Sequence, residues 1–216
     1  MFKALLFDLD GTLAETNSVH RLAWAEILKP HGYEITWDLY RDRISGRLTS
    51  EIVSDLLPDL SPEEVRKISE AKEANFRERA GVLEPLPGLL GLIARGRKKG
   101  MRISLVTNAP KENVCAVLHA LDLEGVFEPV ILADEIGVGK PDPAPYEAAL
   151  KALSIYADEA VAFEDSLSGI ASSVAAGIPT VGIASTQDPE KLESSGVDLV
   201  VRDFTDPKLV AFIEQR

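Results

Sequence analysis

The chain has 216 residues, 45% of them hydrophobic and 27% charged, which excludes an intrinsically disordered protein and allows one core with a smaller insertion. The 35 acidic residues outnumber the 23 basic ones, and the formal net charge of −12 argues against binding to nucleic acid or to an anionic membrane surface. The single cysteine cannot form an internal disulfide, and no apolar run approaches the roughly 18 residues of a membrane span, so we expect a cytoplasmic protein.

The first predicted element is a short buried strand at residues 3–7. Two aspartates, Asp8 and Asp10, follow it directly, and Gly11 indicates that the strand has ended. In open α/β sheets, ligands bind outside the carboxyl ends of the strands. The two carboxylates therefore lie where chemistry is expected, although an isolated motif of this kind is also compatible with a simple Asx turn.

Between about residues 15 and 80 the pattern is helical, and no convincing strand interrupts it. Apolar residues recur at helical spacing up to Pro30, and Ser61, Pro62 and Glu64 form the start of a long helix with a capping box. We interpret residues 15–80 as an inserted helical cap domain, joined to the core near Leu13 and by a glycine- and proline-rich linker at residues 81–88. The core domain would then comprise residues 1–14 and 81–216.

The rest of the chain alternates between strand and helix patterns. The predicted strands cover residues 103–106, 130–132, 160–163, 180–183 and 199–201. Amphipathic helices separate these strands. One of them follows Pro110, and we expect Cys115 in this helix to be a small core residue. This alternation predicts the α/β class, with a Rossmann-like parallel sheet, helices on both faces and the helical cap inserted after the first strand.

Polar side chains follow two of these strands, each just before a helix. Thr107 and Asn108 come after the second strand, and Glu164 and Asp165 come after the strand at 160–163. Lys140 stands in a rigid loop ahead of another helix. Because parallel strands end at the same edge of a sheet, these groups and the two aspartates should meet there.

A cluster of four carboxylates needs a cation, because carboxylates packed within a few ångströms repel one another and some would otherwise stay protonated. Mg²⁺ favours one or two carboxylates together with water and substrate phosphate. Lys140, Thr107 and two helix N-termini would supply donors for phosphate oxygens. A carboxylate beside a phosphate held in this way can act as a nucleophile.

The ordered set of motifs resembles the haloacid dehalogenase-like superfamily of phosphotransferases over essentially the whole chain. The matching motifs are Asp8-Leu9-Asp10-Gly11-Thr12, Thr107-Asn108, Lys140 within Gly-Lys-Pro-Asp-Pro, and Glu164-Asp165-Ser166 with Gly169. The inserted helices, with Thr16 and His20, look like the cap of the subfamily that contains β-phosphoglucomutase and small sugar-phosphate phosphatases.

The resemblance implies a role for each matching residue. Asp8 would be the nucleophile and a metal ligand, and Asp10 the general acid and base, with its backbone carbonyl on Mg²⁺. Asp165 would be the other carboxylate on the metal, supported by Glu164. The remaining residues would act on the substrate: Thr107 and Lys140 hold the phosphoryl group, and Asn108 orients the substrate or Asp8, unless it merely caps the following helix.

Cap residues are expected to set specificity. His20 either contacts Asp10 or the substrate, or is simply a polar helix residue. Arg47 either contacts a substrate phosphate or sugar, or is a surface arginine, and Lys72 matches a cap lysine of the mutase-like members. In those members an arginine a few residues after the cap glycine grips a second phosphate, whereas here Leu48-Thr49-Ser50 occupies that stretch. This departure argues against mutase activity.

We therefore predict a Mg²⁺-dependent phosphatase of small phosphorylated metabolites, in particular sugar phosphates, that works through a phospho-aspartate at Asp8. The alternative enzyme is a β-phosphoglucomutase-type transferase. A phosphorylation-dependent receiver module lacks the helical insertion, and an inactive interaction protein would not need the complete acid set. The sequence does not fix the oligomeric state, and a monomer is compatible with it.

Overall fold

Short apolar runs form the strands of a parallel sheet. The computed structural model describes residues 1–214. The strands are β1 (Ala4–Phe7), β2 (Arg102–Thr107), β3 (Val130–Leu132), β4 (Ala160–Glu164), β5 (Thr180–Ile183) and β6 (Leu199–Val201). Within residues 1–214 they form a six-stranded sheet in the order β3-β2-β1-β4-β5-β6, and all neighbouring pairs are parallel.

Strand β1 lies at the point where the chain reverses its direction of travel across the sheet. Leu5 is in register with Ile103 of β2 on one side and with Val161 of β4 on the other. From β1 the chain moves outward through β2 to β3 and then returns to place β4 on the opposite side of β1. Such a switch point opens a crevice at the carboxyl ends of the strands, which puts Asp8 and Asp10 in its centre.

Helices cover both faces of the sheet. Those outside the insertion are α5 (Leu89–Lys98), α6 (Lys111–Ala120), α7 (Ala133–Ile136), α8 (Ala144–Leu153), α9 (Leu167–Ala175), α10 (Pro189–Glu193) and α11 (Pro207–Glu214). Alternate residues of β1 point to opposite faces: Leu5 and Phe7 join the larger hydrophobic cluster, and Leu6 joins a second cluster with Tyr146. The predicted α/β fold class is therefore confirmed.

The segment after β1 is helical, as the sequence predicts. Its helices are α1 (Asn17–Leu28), α2 (Trp37–Arg43), α3 (Thr49–Leu56) and α4 (Pro62–Arg79). Ser61 and Glu64 form the predicted capping box at the start of α4. These helices surround their own cluster around Trp24, but Val19 and Phe76 belong to the cluster of the sheet. The division into a cap and a core domain at residues 15–80 stays a prediction.

The two chain segments that connect this helical part to the sheet lie side by side. The Leu86 amide donates to the Leu13 carbonyl over 2.8 Å, and Ala14 forms a bridge with Pro85. Gly88 follows with φ +83°, and a Cβ there would lie 2.5 Å from the carbonyl carbon of Phe204. Only glycine can therefore end this connection where it contacts the loop after β6.

Cys115 is exposed, so the prediction that it is a core residue is wrong. The buried face of α6 is formed by Val114, Val117 and Leu118. Cys115 follows Val114 by one residue, a rotation of about 100°, and therefore faces the solvent. Among the described residues, no helix is long and apolar enough to cross a membrane.

Candidate active site

Asp8 lies at the end of the central strand with its carboxylate almost completely buried. Its amide continues the sheet by donating to the Phe163 carbonyl at 3.0 Å, and its Oδ1 accepts from the Lys140 ammonium at 2.6 Å. Gly11 has φ +77°, and a Cβ there would lie 2.1 Å from Oδ2 of Asp165. The glycine therefore allows Asp165 to approach the loop that carries Asp8 and Asp10.

Lys140 is fixed at both its ammonium and its backbone. Nζ donates to Asp8 Oδ1 and Glu164 Oε1, each at 2.6 Å, and to the Val106 carbonyl at 2.7 Å, so all three of its protons are used. The Asn108 side chain accepts from the Lys140 amide at 2.9 Å and donates to the Lys140 carbonyl at 3.1 Å. The alternative that Asn108 caps the following helix is wrong: α6 is preceded by Pro110 with no side-chain cap, and the Asn108 amide holds the lysine loop instead.

Glu164 is completely buried behind the cavity and shares its Oε1 between two donors. Lys140 donates to it, and the hydroxyl of Tyr146 donates to the same atom at 2.6 Å. Gly169 of α9 packs against the other oxygen, where a Cβ would lie 1.9 Å from Oε2. Tyr146 lies outside the sequence motifs, although a buried tyrosine hydroxyl usually has a hydrogen-bond partner.

Asp165 also has a hydrogen-bond partner that lies outside the sequence motifs. The Thr186 hydroxyl, from the loop after β5, donates to its Oδ2. Next to it, the Ser185 hydroxyl donates to the Gly11 carbonyl. No motif marks Thr186 or Ser185, because their role follows from the position of β5 beside β4.

Crowding changes the acidity of these groups. Burial, together with the charges of Glu164 and Asp10, raises the pKa of Asp8 to about 7, against the opposing effect of Lys140. Burial and the neighbouring Asp8 raise the pKa of Asp165 well above its usual range. Burial alone would lower the pKa of Lys140, but the carboxylates of Asp8 and Glu164 raise it. Without a further cation, the site therefore favours protonated carboxyls.

The same acids fit a metal ion. One carboxylate oxygen each of Asp8, Glu164 and Asp165 lies within 4.8 Å of the others, and Oε2 of Glu164 is buried without a hydrogen-bond partner among the described residues. An all-oxygen set with unneutralised charge suits a hard cation such as Mg²⁺. The Asp10 side chain lies outside this group of three. Its backbone carbonyl remains the predicted contribution of Asp10 to a metal.

The Asp10 side chain contacts His20 of the helical segment. His20 Nε2 lies 3.2 Å from Asp10 Oδ1, and the Lys72 ammonium lies 3.0 Å from His20 Nδ1. Because an ammonium can only donate, Nδ1 accepts and the ring proton is on Nε2, where it faces Asp10. Burial would raise the pKa of Asp10, but the contact with His20 outweighs it and lowers that pKa. His20 also stacks on Phe76, with ring centroids 3.9 Å apart.

A cavity of about 640 Å³ lies between the sheet edge and the inserted helices. The sequence-predicted residues that line it are Asp8, Asp10, His20, Arg47, Lys72, Thr107, Asn108, Lys140 and Asp165. Arg47 lies on its outer wall, where it donates to Asp55 and to the Arg43 carbonyl at 2.9 Å each. Thr107 Oγ1 accepts from the Ala109 amide at 3.0 Å and is buried at the end of β2.

Comparison with known proteins gives a consistent result. The family model described as haloacid dehalogenase-like hydrolase matches residues 5–183. The chain is similar to protein CbbY of Rhodobacter capsulatus (34% identical, covering 83% of this chain and 84% of the relative). It is also similar to validoxylamine A 7′-phosphate phosphatase of Streptomyces hygroscopicus subsp. limoneus (30% identical; 95% and 96% covered). The crystal structure of CbbY from Rhodobacter sphaeroides in complex with phosphate superimposes with a TM-score of 0.84 at 29% identity, over 95% of this chain and 96% of the other.

Proposed function

Because the chain belongs to the haloacid dehalogenase-like hydrolase family, we propose that it is a phosphoric monoester hydrolase that acts on small phosphorylated metabolites, in particular sugar phosphates. The observation that carries this proposal is the buried contact of Lys140 with both Asp8 and Glu164, in one cavity with Asp165 and the Asp10–His20 pair. The names of two similar proteins, validoxylamine A 7′-phosphate phosphatase and the phosphorylated carbohydrates phosphatase of Thermotoga maritima, support the substrate class.

In the first half-reaction, an oxygen of Asp8 attacks phosphorus while the bond from phosphorus to the ester oxygen breaks. Lys140 holds Oδ1 of Asp8, which orients Oδ2 for this attack. Asp10 gives its proton to the leaving ester oxygen, so the product departs as a neutral hydroxyl compound. Thr107, on the cavity wall, donates its hydroxyl proton to an oxygen of the transferred phosphoryl group, and Lys140, whose three protons are already used, attracts the phosphoryl oxygens by its positive charge.

In the second half-reaction, water attacks the phosphorus of phospho-Asp8 and the acyl-phosphate bond breaks. Asp10, now deprotonated, takes the proton of the attacking water. Inorganic phosphate leaves, and Asp8 and Asp10 return to their starting states. His20 holds the Asp10 carboxyl through both half-reactions, and Lys72 fixes the tautomer of His20.

Asp8, Asp165 and the backbone carbonyl of Asp10 would hold Mg²⁺, with Glu164 in support. When bound, this cation neutralises the crowded carboxylates and the negative charge of the substrate phosphate. The raised pKa values of Asp8 and Asp165 and the unpartnered oxygen of Glu164 support this assignment. A cytoplasmic location remains part of the prediction.

The proposal is tested by measuring phosphate release from a panel of phosphorylated metabolites, with Mg²⁺ and with excess chelator. We expect hydrolysis that chelation abolishes and Mg²⁺ restores. The Asp8→Asn variant, which lacks the proposed nucleophile, serves as the inactive control. Undiminished activity in chelator would contradict the role of the metal. Isomerisation of a hexose phosphate, stimulated by a bisphosphate and without net phosphate release, would identify a phosphoglucomutase-type transferase instead.

A further inference from the structure

Helix α4 and helix α6 share a hydrogen-bonded cluster on the cavity wall that no motif predicts. Glu73 Oε2 accepts from the Asn113 side-chain amide at 2.6 Å, and Asn113 Oδ1 accepts from the Arg77 guanidinium at 3.0 Å. Glu73 and Arg77 are four residues apart and therefore neighbours on one side of α4. Asn113 is buried, so its side chain holds the Arg77 guanidinium in place against the core.

Arg77 differs from the other basic side chains of the cavity in its partners. Lys140 pairs with Asp8 and Glu164, Lys72 pairs with Glu73 at 3.0 Å, and Arg47 pairs with Asp55 at 2.9 Å. Four lysines and arginines among residues 1–214 line the cavity, and Arg77 is the one whose side-chain nitrogens have no carboxylate oxygen within 4.0 Å. Its guanidinium contacts the neutral Asn113 side chain instead.

The acidic residues elsewhere on this part of the wall do not cancel its charge. Glu70, Glu112 and Asp134 line the same cavity, but all three side chains are exposed to solvent, where water and salt screen their charges. Arg77 is half-buried and fixed, and it uses one of its five N–H donors on Asn113. A guanidinium held in this way is suited to bind a carboxylate or phosphate through its remaining donors.

The position of Arg77 relative to the reacting groups defines which part of a substrate it could reach. Lys72 of the same helix contacts His20, which contacts Asp10. Arg77 follows Lys72 by five residues, which is about 7.5 Å along the helix axis. Because Asp8 and Arg77 line the same cavity, a substrate whose phosphate lies at Asp8 can extend its far end toward Arg77.

We propose that Arg77 binds a second anionic group, a carboxylate or a second phosphate, at the end of the substrate remote from the transferred phosphate. The inference rests on the proposed phosphatase function and narrows its substrate class to phosphate esters with two negatively charged ends. Arg77 is then a specificity-determining residue, positioned by Asn113 and Glu73.

The test compares substrates that differ only in the remote group. One series is glucose 1-phosphate, glucuronic acid 1-phosphate and glucose 1,6-bisphosphate; a second is glycerol 3-phosphate and 3-phosphoglycerate. For each substrate, kcat/KM is measured with Mg²⁺, and binding is measured as inhibition of p-nitrophenyl phosphate hydrolysis.

The variants are Arg77→Gln, which keeps a donor for Asn113 but loses the charge, and Arg77→Lys, which keeps the charge but loses the planar guanidinium. Arg79→Gln, two residues further on the same helix and outside the cavity, is the matched control.

In at least one series the wild type should prefer the charged remote group over the neutral one by about tenfold or more, the scale of one charge-assisted hydrogen bond. Arg77→Gln should remove this preference, Arg77→Lys should keep part of it, and Arg79→Gln should leave it unchanged. The remote group that raises kcat/KM more, the carboxylate or the second phosphate, identifies the group that the natural substrate carries.

Two results would overturn the inference: no preference for a charged remote group in either series, or an equal loss in Arg77→Gln with charged and neutral substrates, which would make Arg77 structural. Absence of phosphate release by the wild type from every one of these substrates, p-nitrophenyl phosphate included, would instead overturn the proposed function, so the two failures are distinguishable. Circular dichroism and thermal unfolding of each variant verify that it is folded.

Discussion

Asp8 and Asp10 are separated by one residue, yet they have different surroundings. Asp8 faces Lys140 and the other buried acids of the sheet edge, whereas the Asp10 carboxylate faces His20 of α1. Burial raises the pKa of Asp8, and the His20 contact lowers the pKa of Asp10. Two neighbouring carboxylates with different partners can take different roles. The proposed assignment of Asp8 as nucleophile and Asp10 as acid and base follows from the match of the Asp8–Thr12 motif to the family and not from these pKa directions, which by themselves favour an ionised Asp10.

Replacing each aspartate with asparagine should separate these roles. Asp8→Asn should lose activity with every substrate, because an amide does not attack phosphorus and carries no charge for a metal. The activity of Asp10→Asn with sugar phosphates should fall roughly 10²–10⁴-fold, because the leaving sugar alkoxide needs a proton. With p-nitrophenyl phosphate the phenolate leaves unprotonated, so the first half-reaction should survive and phospho-Asp8 should accumulate.

The measurement is a rapid-mixing assay of nitrophenolate with Asp10→Asn. We expect a burst near one equivalent per enzyme, followed by slow turnover that reflects the missing base. If the burst and the steady rate fall equally with both substrate types, Asp10 has only a structural role.

Tyr146 is the residue that supports Glu164 from behind the site. In Tyr146→Phe, Glu164 Oε1 keeps only the Lys140 ammonium as donor, so the fold should lose about 1–3 kcal/mol, the cost of removing a partner from a buried acceptor. Urea denaturation measures this change. Tyr156→Phe removes a hydroxyl from an exposed tyrosine and should leave the unfolding midpoint nearly unchanged. A similar midpoint for both variants would show that the Tyr146 hydrogen bond contributes little.

At the scale of single elements, the first turn of α9 is adapted to the acid cluster. Gly169 is a poor helix former, but its missing side chain makes room for the Glu164 carboxylate at the end of β4. The sheet end and the helix start are thereby in direct contact. The first turn of this helix and the orientation of the buried acid depend on each other.

Gly169→Ala should therefore displace Glu164 and weaken both stability and Mg²⁺-dependent turnover, despite the better helix propensity of alanine. Gly91→Ala in α5 is the matched control, because nothing lies within 4 Å of its added Cβ. It should stabilise the protein by up to about 1 kcal/mol and leave activity unchanged. Thermal unfolding and activity are measured for both variants. Stabilisation by Gly169→Ala without loss of turnover would contradict the close contact.

The two connecting segments also act as an element, since they run side by side where the helical segment joins the sheet. We predict that the inserted helices move as a body about residues 13–14 and 81–88 and close over the cavity when phosphate is bound, which would keep water away from Asp8. Crystal structures with and without a phosphate analogue measure the angle between the helical segment and the sheet. An identical angle in both would count against this motion.

At the scale of the whole molecule, stability should depend jointly on pH and on Mg²⁺. In the unfolded chain the carboxyls of Asp8 and Asp165 ionise near 3.8, whereas the fold keeps Asp8 protonated up to a pKa of about 7 and also raises the pKa of Asp165. The folded protein therefore binds more protons than the unfolded chain in this range, and the stabilisation present below pH 4 is lost as the pH rises through 7. A bound cation should reverse this loss.

Thermal unfolding at pH 5 and pH 8, with Mg²⁺ and with chelator, measures the effect. At a free concentration one hundred times Kd, Mg²⁺ should add about 2.7 kcal/mol, which raises Tm by roughly 5–10 °C, and the gain should be larger at pH 8 than at pH 5. In Asp8→Asn, whose amide mimics the protonated carboxyl, Tm should depend less on pH and less on Mg²⁺ than in the wild type. An equal gain from Mg²⁺ at the two pH values would contradict the proposed coupling.

The sequence by itself determined the fold class, because strand and helix patterns alternate with clear turn and cap signals. Strands β3, β5 and β6 begin and end at the predicted residues, and the capping box at Ser61 forms as predicted. The motif residues could be expected to meet, since parallel strands end at one edge of the sheet. Local signals of this kind depend on neighbours in the chain, and these are visible in any sequence.

Only the tertiary structure decided which side chains support that site. No motif marks Tyr146 or Thr186, yet each donates to a buried acid that is 18 to 21 residues away in the chain. Asn113 and Arg77 meet across 36 residues on two different helices. Cys115, in contrast, turned outward through a rotation of one helical position. These contacts depend on how helices pack on the sheet, and the hydrophobic pattern specifies which face is buried but not which polar group lies opposite another.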